Sequence, residues 1–334
     1  MNINNTNTRN ISIDTLFRDN YDNTLSTDFS FNLQEPIEKV ISMRISAMEI
    51  PNVWPSFSDK NNTNTFKISL YNFIDPSNNA FVTEREFLIQ VPNGNYTSMN
   101  FIYMINAFFL NNGNGLQYLI CTIDEIYTKT IFRAYNVLND GNNVGNGLDP
   151  YYNIGENQYY SPTFYFTLDF SNGDNNNTIP KYKKCGWMLG FKKDYYTVRY
   201  TDVDIGIANV NQNNLLITFN GYIESESSYG SSVYPYIYLD INEFQSNTRA
   251  ESLYHFVGNQ PFKDNNILAR ISISSSQNTV LIDNGSDRIF KQRNYIGPIT
   301  LEKLHIKLID RFGRTIDLIN NDYSFILEIT YLQY

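Results

Sequence analysis

The stretch Pro36 to Pro51, "PIEKVISMRISAMEIP", decides the class of fold. Ile37, Ile41, Met43, Ile45 and Ala47 fall on one side of a period of two, while Ser42, Arg44 and Ser46 fall on the other. That alternation makes a long half-buried strand, and Pro51, which has no amide proton to donate, ends it. The same period returns in "TFYFTLDF", with Phe164, Phe166, Leu168 and Phe170, and in "YIYLDI", with Ile237, Leu239 and Ile241. Further strands are read in "NTFKISLY", "EFLIQV", "YLICTI", "TIFRAY", "VDIGIA", "NLLITF", "ILARISI" and "TVLI". The total is about sixteen, separated by linkers rich in turn residues.

One segment breaks the period. In "YTSMNFIYMINAFFLNNGNG", Met99, Ile102, Ile105 and Phe109 recur at helical spacing, Thr97 or Ser98 can cap the start, and Asn-Asn-Gly stops the run. A single helix near 98–110 in an all-β chain is therefore predicted. Long Asn, Gly and Asp loops lie at 138–157 and 171–180, with shorter ones near 57–63 and 111–115. The polar "ESESSYGSSVYP" places a boundary near 200–230. The chain divides on this basis into a flexible arm at 1–26, a first β-sandwich at 27–210 and a second at 211–334. Eight strands per half fit two jelly rolls in tandem.

The 334 residues are 42% hydrophobic and 15% aromatic, with 26 Tyr and 23 Phe, against 18% charged residues. Tyr and Phe favour strands and contact surfaces, and Asn, about one residue in seven, gathers in the turns. A net charge of −9 and a pI near 4.8 repel a phosphate backbone, so nucleic acid is not an expected partner. "MNINNTNTRN" has no apolar core of a secretory signal, and no apolar run reaches the roughly 18 residues of a spanning helix. A soluble protein made inside a cell is expected, with Cys121 and Cys185 as reduced, buried thiols.

The stretch Leu308 to Leu318, "LIDRFGRTIDL", pairs acids with arginines and so separates a reactive centre from a bend. Leu304, Ile306 and Leu308 alternate before it, and Ile316 and Leu318 after it, which makes it the turn between two strands. Asp310 binds the turn backbone and Gly313 takes the positive φ, leaving Arg311 and Arg314 to face solvent or a neighbour. In the arm, Ile11, Ile13, Leu16 and Phe17 are spaced as anchors for a partner's groove.

In "KYKKCGWMLGFKKDYY", Lys181, Lys183, Lys184, Lys192 and Lys193 flank Trp187, Met188, Leu189 and Phe191. This patch fits charged gatekeepers around an apolar turn, a dock for an acidic subunit, single-stranded nucleic acid or lipid headgroups.

Catalytic signatures are weak. His255 and His305 are the only histidines, and no G-x-S-x-G, Walker loop or dinucleotide fingerprint is present. Carboxylates pair at Asp124 and Glu125, Asp202 and Asp204, Glu224 and Glu226, and Asp240 and Glu243, without the further ligands of a calcium site or the cleft of a glycosidase. No enzyme, metal or cofactor is expected. Trp54 and Trp187 would be the large platforms of a carbohydrate-binding β-sandwich, the alternative from another class.

Taken in order, "DFSFNLQEPIEKVISMRISAMEIPN", "NGNYTSMNFIYMIN", "MLGF", "YIYLDINEF", "ILARI" and "GPITLEKLHIKLIDRFGRTIDLINNDYSFILEI" resemble the minor capsid proteins of nucleocytoplasmic large DNA viruses, the giant viruses. The resemblance implies jelly-roll-type β-sandwiches and a structural role in an icosahedral virion. It implies contacts with the major capsid protein and other minor capsid proteins and assembly in the host cytoplasm, and leaves open self-association and an underlying membrane. A penton protein at the vertex is the alternative position.

Overall fold

The computed structural model describes residues 5–333 except 76, 79, 135–159, 175–177, 200–202, 211–212, 221, 231–234, 246–254, 258–259, 263–265, 276–277 and 286–290. For 74, 160–163, 203–210, 213–220, 255–257 and 260–262 it describes the backbone alone. The predicted loop at 138–157 lies outside the described residues.

In chain order the strands begin with β1 (Thr6–Asp14), β2 (Asp28–Pro51), β3 (Thr65–Ile74) and β4 (Phe81–Gln90). The helix α1 (Ser98–Asn112) precedes β5 (Leu119–Ile123), β6 (Lys129–Ala134) and β7 (Tyr160–Asp169). A single helical turn, α2 (Cys185–Met188), leads to β8 (Tyr195–Arg199), β9 (Val203–Val210), β10 (Asn213–Asn220) and β11 (Tyr222–Ser228). The remaining strands are β12 (Tyr236–Asn242), β13 (His255–Val257), β14 (Gln260–Phe262), β15 (Ile267–Ser272), β16 (Val280–Asp283), β17 (Gln292–Asp310) and β18 (Ser324–Leu332). The chain is mainly β, and every strand pair among the described residues is antiparallel.

Two compact units divide the chain: Met1–Trp54 with Tyr234–Tyr334, and Pro55–Val233. The second is thus inserted in the first, where the sequence sets sandwiches at 27–210 and 211–334 in tandem. The difference arises because β2 finds its partners, β17 and β18, at the far end of the chain. Local alternation marks a strand without naming the strand beside it. The stretch expected as a polar boundary also contains β11, whose ladder with β6 satisfies its backbone despite its polar side chains.

In the first unit a seven-stranded sheet runs β1-β18-β2-β17-β12-β15, with β16 also beside β2. The pairing of β17 with β2 shifts register three times between Asn294 and Lys303, and each irregularity bends the pair. Phe29 and Ile37, early in β2, accordingly share one core with Met43, Met48 and Ile50, late in it. Within β2 the strict period of two fails. Ile37, Val40, Met43, Ile45, Met48 and Ile50 are buried, whereas Ile41 and Ala47 are only half-buried. Against β18 the register slips between Val40 and Ser42 and again between Ile45 and Ala47, so Ile41 and Ser46 are extra residues that reset the alternation.

The second unit has a four-stranded sheet, β4-β3-β7-β8, and a three-stranded sheet, β11-β6-β5. These sheets and α1 close on one aromatic core, in which Phe66 of β3 meets Phe132 of β6 edge to face at 6.1 Å. Thr97 caps α1 by accepting from the Asn100 N–H at 3.2 Å, and Gly113 ends it at φ 60°. The helix lies where expected, but its buried face carries Phe101, Ile105, Asn106 and Phe109, while Met99 is exposed and Ile102 half-buried.

Candidate functional site

The C-terminal turn is built around one carboxylate. Asp310 is buried, and its Oδ1 accepts from the backbone N–H of Phe312 at 2.8 Å and of Arg314 at 2.9 Å. Its Oδ2 accepts from Arg314 Nε at 2.8 Å, and its own carbonyl accepts from the Gly313 N–H at 3.0 Å. Gly313 adopts φ 79°, the left-handed conformation predicted for it. Arg314 therefore folds back onto Asp310 rather than facing outward, and the guanidinium carbons of Arg311 and Arg314 sit 5.2 and 5.0 Å from the Phe312 ring centre. The strand expected after the turn is reduced to a single bridge, Ile309 to Thr315, followed by the Ile316 N–H donating to the Leu308 carbonyl at 2.9 Å. Leu318 is buried but lies outside any strand.

The N-terminal segment is folded onto its own unit. β1 pairs with β18 from Thr6 opposite Leu332 to Asp14 opposite Ser324. Ile13 is buried in that core and Ile11 packs against it, so neither is presented to a partner. Composition alone predicts a free arm because the ordering comes from β18, 310 residues away in sequence, as read from Asp14 to Ser324. Beyond β1 the chain forms a knot: Thr15 donates through Oγ1 to Asp322 Oδ1 at 2.9 Å and accepts from the Tyr323 N–H at 2.9 Å. Arg18 donates to Asp322 Oδ1 and to the Thr15 carbonyl, both at 2.7 Å, and to the Thr24 carbonyl at 3.0 Å. Leu16 and Phe17 remain outward at 51% and 81% exposure.

The lysines are not equivalent. Lys184 is buried, with its ammonium 3.3 Å from Asp174 and 3.5 Å from Asp194, so this expected surface contact is an internal ion pair. The Asp174 carboxylate is held well below its ordinary range by the Ile179 N–H, then by the Thr178 hydroxyl. Lys181 and Lys193 are exposed, and Lys183 and Lys192 partly so. Lys192 lies 3.5 Å over the Trp187 ring, and its burial lowers the ammonium pKa. Trp54 is buried and Trp187 is covered on one face by that lysine, so neither is an open platform for a sugar.

Four of the paired acids are engaged locally. Glu224 pairs with Lys129, Glu243 with buried Arg293, and Glu226 accepts from the Tyr196 hydroxyl at 2.8 Å. Asp124 caps its own turn through the Tyr127 N–H at 3.1 Å. Asp202 and the side chains of Asp204 and His255 lie outside the described residues, while His305 meets Asp28 at 2.8 Å. Cys121 and Cys185 are buried, and burial raises both thiol pKa values. Among the described residues no three His, Cys, Asp or Glu side chains converge as a metal would require, and no helix is long and apolar enough to cross a membrane.

Besides Leu16 and Phe17, other exposed apolar side chains escaped the sequence patterns. Tyr21, Leu25 and Ile319 stand outward around the Arg18 knot, and Ile126 and Tyr127 at the tip between β5 and β6. Their signal was a large apolar residue inside turn chemistry, as in "DEIYTK" and "DLINND".

No protein-family model and no curated protein sequence matches the chain. Among solved structures it is similar to the mavirus penton protein over 97% of its own length and 98% of that chain, with a TM-score of 0.45 and 9% identity. It is also similar to a chain in the structure of the Sputnik virophage, over 98% of both chains, with a TM-score of 0.44 and 13% identity.

Proposed function

We propose that the chain is a structural subunit of an icosahedral viral capsid, located in the virion and without catalytic activity. The observation that carries this reading is the contrast between its charged and its apolar side chains. Asp310, Arg314, Arg18, Asp322, Lys184, Asp174, Glu224 and Glu243 are engaged in turns and ion pairs, while large apolar side chains such as Phe17, Ile126, Ile282 and Ile296 stand outward on an ordered β framework. Apolar groups displayed in this way mark contact surfaces rather than reactive clefts.

A vertex subunit of the penton kind is favoured over a minor capsid protein lying between or beneath major capsid subunits. The minor-capsid reading rests on the resemblance of the sequence motifs, and the arm expected to tie such a subunit to its neighbours is instead ordered as β1 against β18 of its own unit. The partners are then the major capsid protein and further copies of this chain. Cryo-electron microscopy of intact particles tests the proposal: density for the chain at the fivefold vertices is expected. Density elsewhere in the shell overturns the vertex position, and absence from the particle overturns the capsid role. Glycan-array binding by the isolated protein would favour the carbohydrate-binding alternative.

A further inference from the structure

Two surfaces of opposite character occur on the two units. On the first, residues 14–25 form a rigid knot, with Arg18 bonded to Asp322, Thr15 and Thr24 and its guanidinium carbon 4.0 Å over the Tyr21 ring. The knot holds Leu16, Phe17, Tyr21 and Leu25 outward. The adjoining turn, tied to it by Ser26 Oγ donating to the Asn321 carbonyl at 2.8 Å, adds Ile319. Ile319 adopts φ 53°, a strained conformation for a β-branched residue, and is 57% exposed. Asp14, Asp19 and Asp22 are exposed around these knobs, and the charge of Arg18 is taken by Asp322. This surface is apolar with an acidic rim.

On the second unit the lysines form the reverse. Lys181 and Lys183 lie on the turn that leads into α2, Lys192 covers the Trp187 ring and Lys193 lies over Tyr196, in a chain whose net charge is −9. Glu226, an exposed carboxylate there, accepts from the Tyr196 hydroxyl and the Lys192 N–H. A rigid apolar knob with an acidic rim and a basic aromatic patch are complementary in charge.

We propose that the Leu16–Phe17–Tyr21 knob of one copy docks on the Lys181–Lys183–Lys192–Lys193 patch of a second copy, a head-to-tail contact. Each copy carries both halves, so the contact repeats and closes a ring or extends a row. The biological purpose rests on the capsid reading above; the association itself is a property of the isolated chain. The alternate face of α1, with exposed Met99, Tyr103 and Leu110, takes no part.

The test uses the full-length chain in analytical ultracentrifugation. Association that rises with concentration and weakens at least about tenfold between roughly 50 and 500 mM salt is expected. The knob variant carries Phe17→Ser, Asp19→Asn and Asp22→Asn; the patch variant carries Lys181→Glu, Lys183→Glu and Lys193→Glu. Each alone should be monomeric, with a circular-dichroism melt like that of the parent. An equimolar mixture should give a one-to-one dimer and nothing larger, because only one intact pair of surfaces remains. Phe17→Ser and Lys193→Glu, as milder single changes, should each weaken association about tenfold.

A parent chain that is monomeric at every concentration overturns the proposal, as does a mixture that stays monomeric or a variant that still associates. A chain located in particles but monomeric in solution defeats this contact while leaving the capsid reading intact. Association as described by a chain absent from particles supports the contact and defeats that reading.

Discussion

Asp310 and Gly313 show how much one turn asks of two side chains. Gly313→Val forces a β-branched residue to φ 79° and should destabilise the first unit by about 1–3 kcal/mol in denaturant titration. Asp310→Asn should cost about 1–2 kcal/mol, because both carboxylate oxygens accept hydrogen bonds and an amide can replace only one of them. A second carboxylate governs acid behaviour. Asp75 is held at about 2, from an ordinary 3.8, by the Ser77 hydroxyl at 2.6 Å, the Ser77 N–H at 2.9 Å and Arg85 at 2.7 Å. A lowered folded-state pKa contributes stability that is present above the unfolded value and is lost as pH falls toward the folded one. The second unit should therefore lose stability between about pH 4 and 2, with a shallower loss in Asp75→Asn when melts are followed across that window. Asp310 was legible in the sequence as a turn residue. Asp75 was not, because Arg85 reaches it only across the β3–β4 hairpin.

At the scale of elements, the bulges in β2 and the polar seam beside α1 carry consequences that periodicity hides. Gly285, at φ 64°, lies against the extra residue Ser46, and a Cβ there would fall 2.5 Å from the Ser46 carbonyl oxygen and 2.7 Å from that of Ile45. Gly285→Ala should thus cost about 2–3 kcal/mol and lower the melting temperature, since the obstacle is backbone. In the second unit Asn106 donates through Nδ2 to the Cys121 carbonyl and accepts from the Cys121 N–H, both at 2.8 Å. It completes the ladder of β5 from the helix. Asn106→Ala leaves both backbone groups buried and unpaired and should destabilise the unit by about 2–4 kcal/mol, with faster amide exchange at Cys121 as the readout. An Asn on an apolar helix face reads as an interruption in sequence; its meaning is supplied by the strand it touches.

For the whole molecule the ends of the chain matter most. Deleting residues 1–26 removes β1 and the partners of Asp322, Tyr323 and Asn321. That deletion should lower the melting temperature by about 5–10 °C in scanning calorimetry; an unchanged melt would mean that the segment is detached. The sequence by itself determined the β class, the position of α1, the Asp310 turn and the burial of both thiols. Each of these is set by near neighbours in the chain: alternation, a cap, a positive φ, an apolar run. The tertiary structure decided which strands pair, that Ile13 is internal, and that the second unit is inserted in the first. Those outcomes depend on residues up to 326 apart, as Thr6 is from Leu332, and side-chain period carries no information about a partner at that distance.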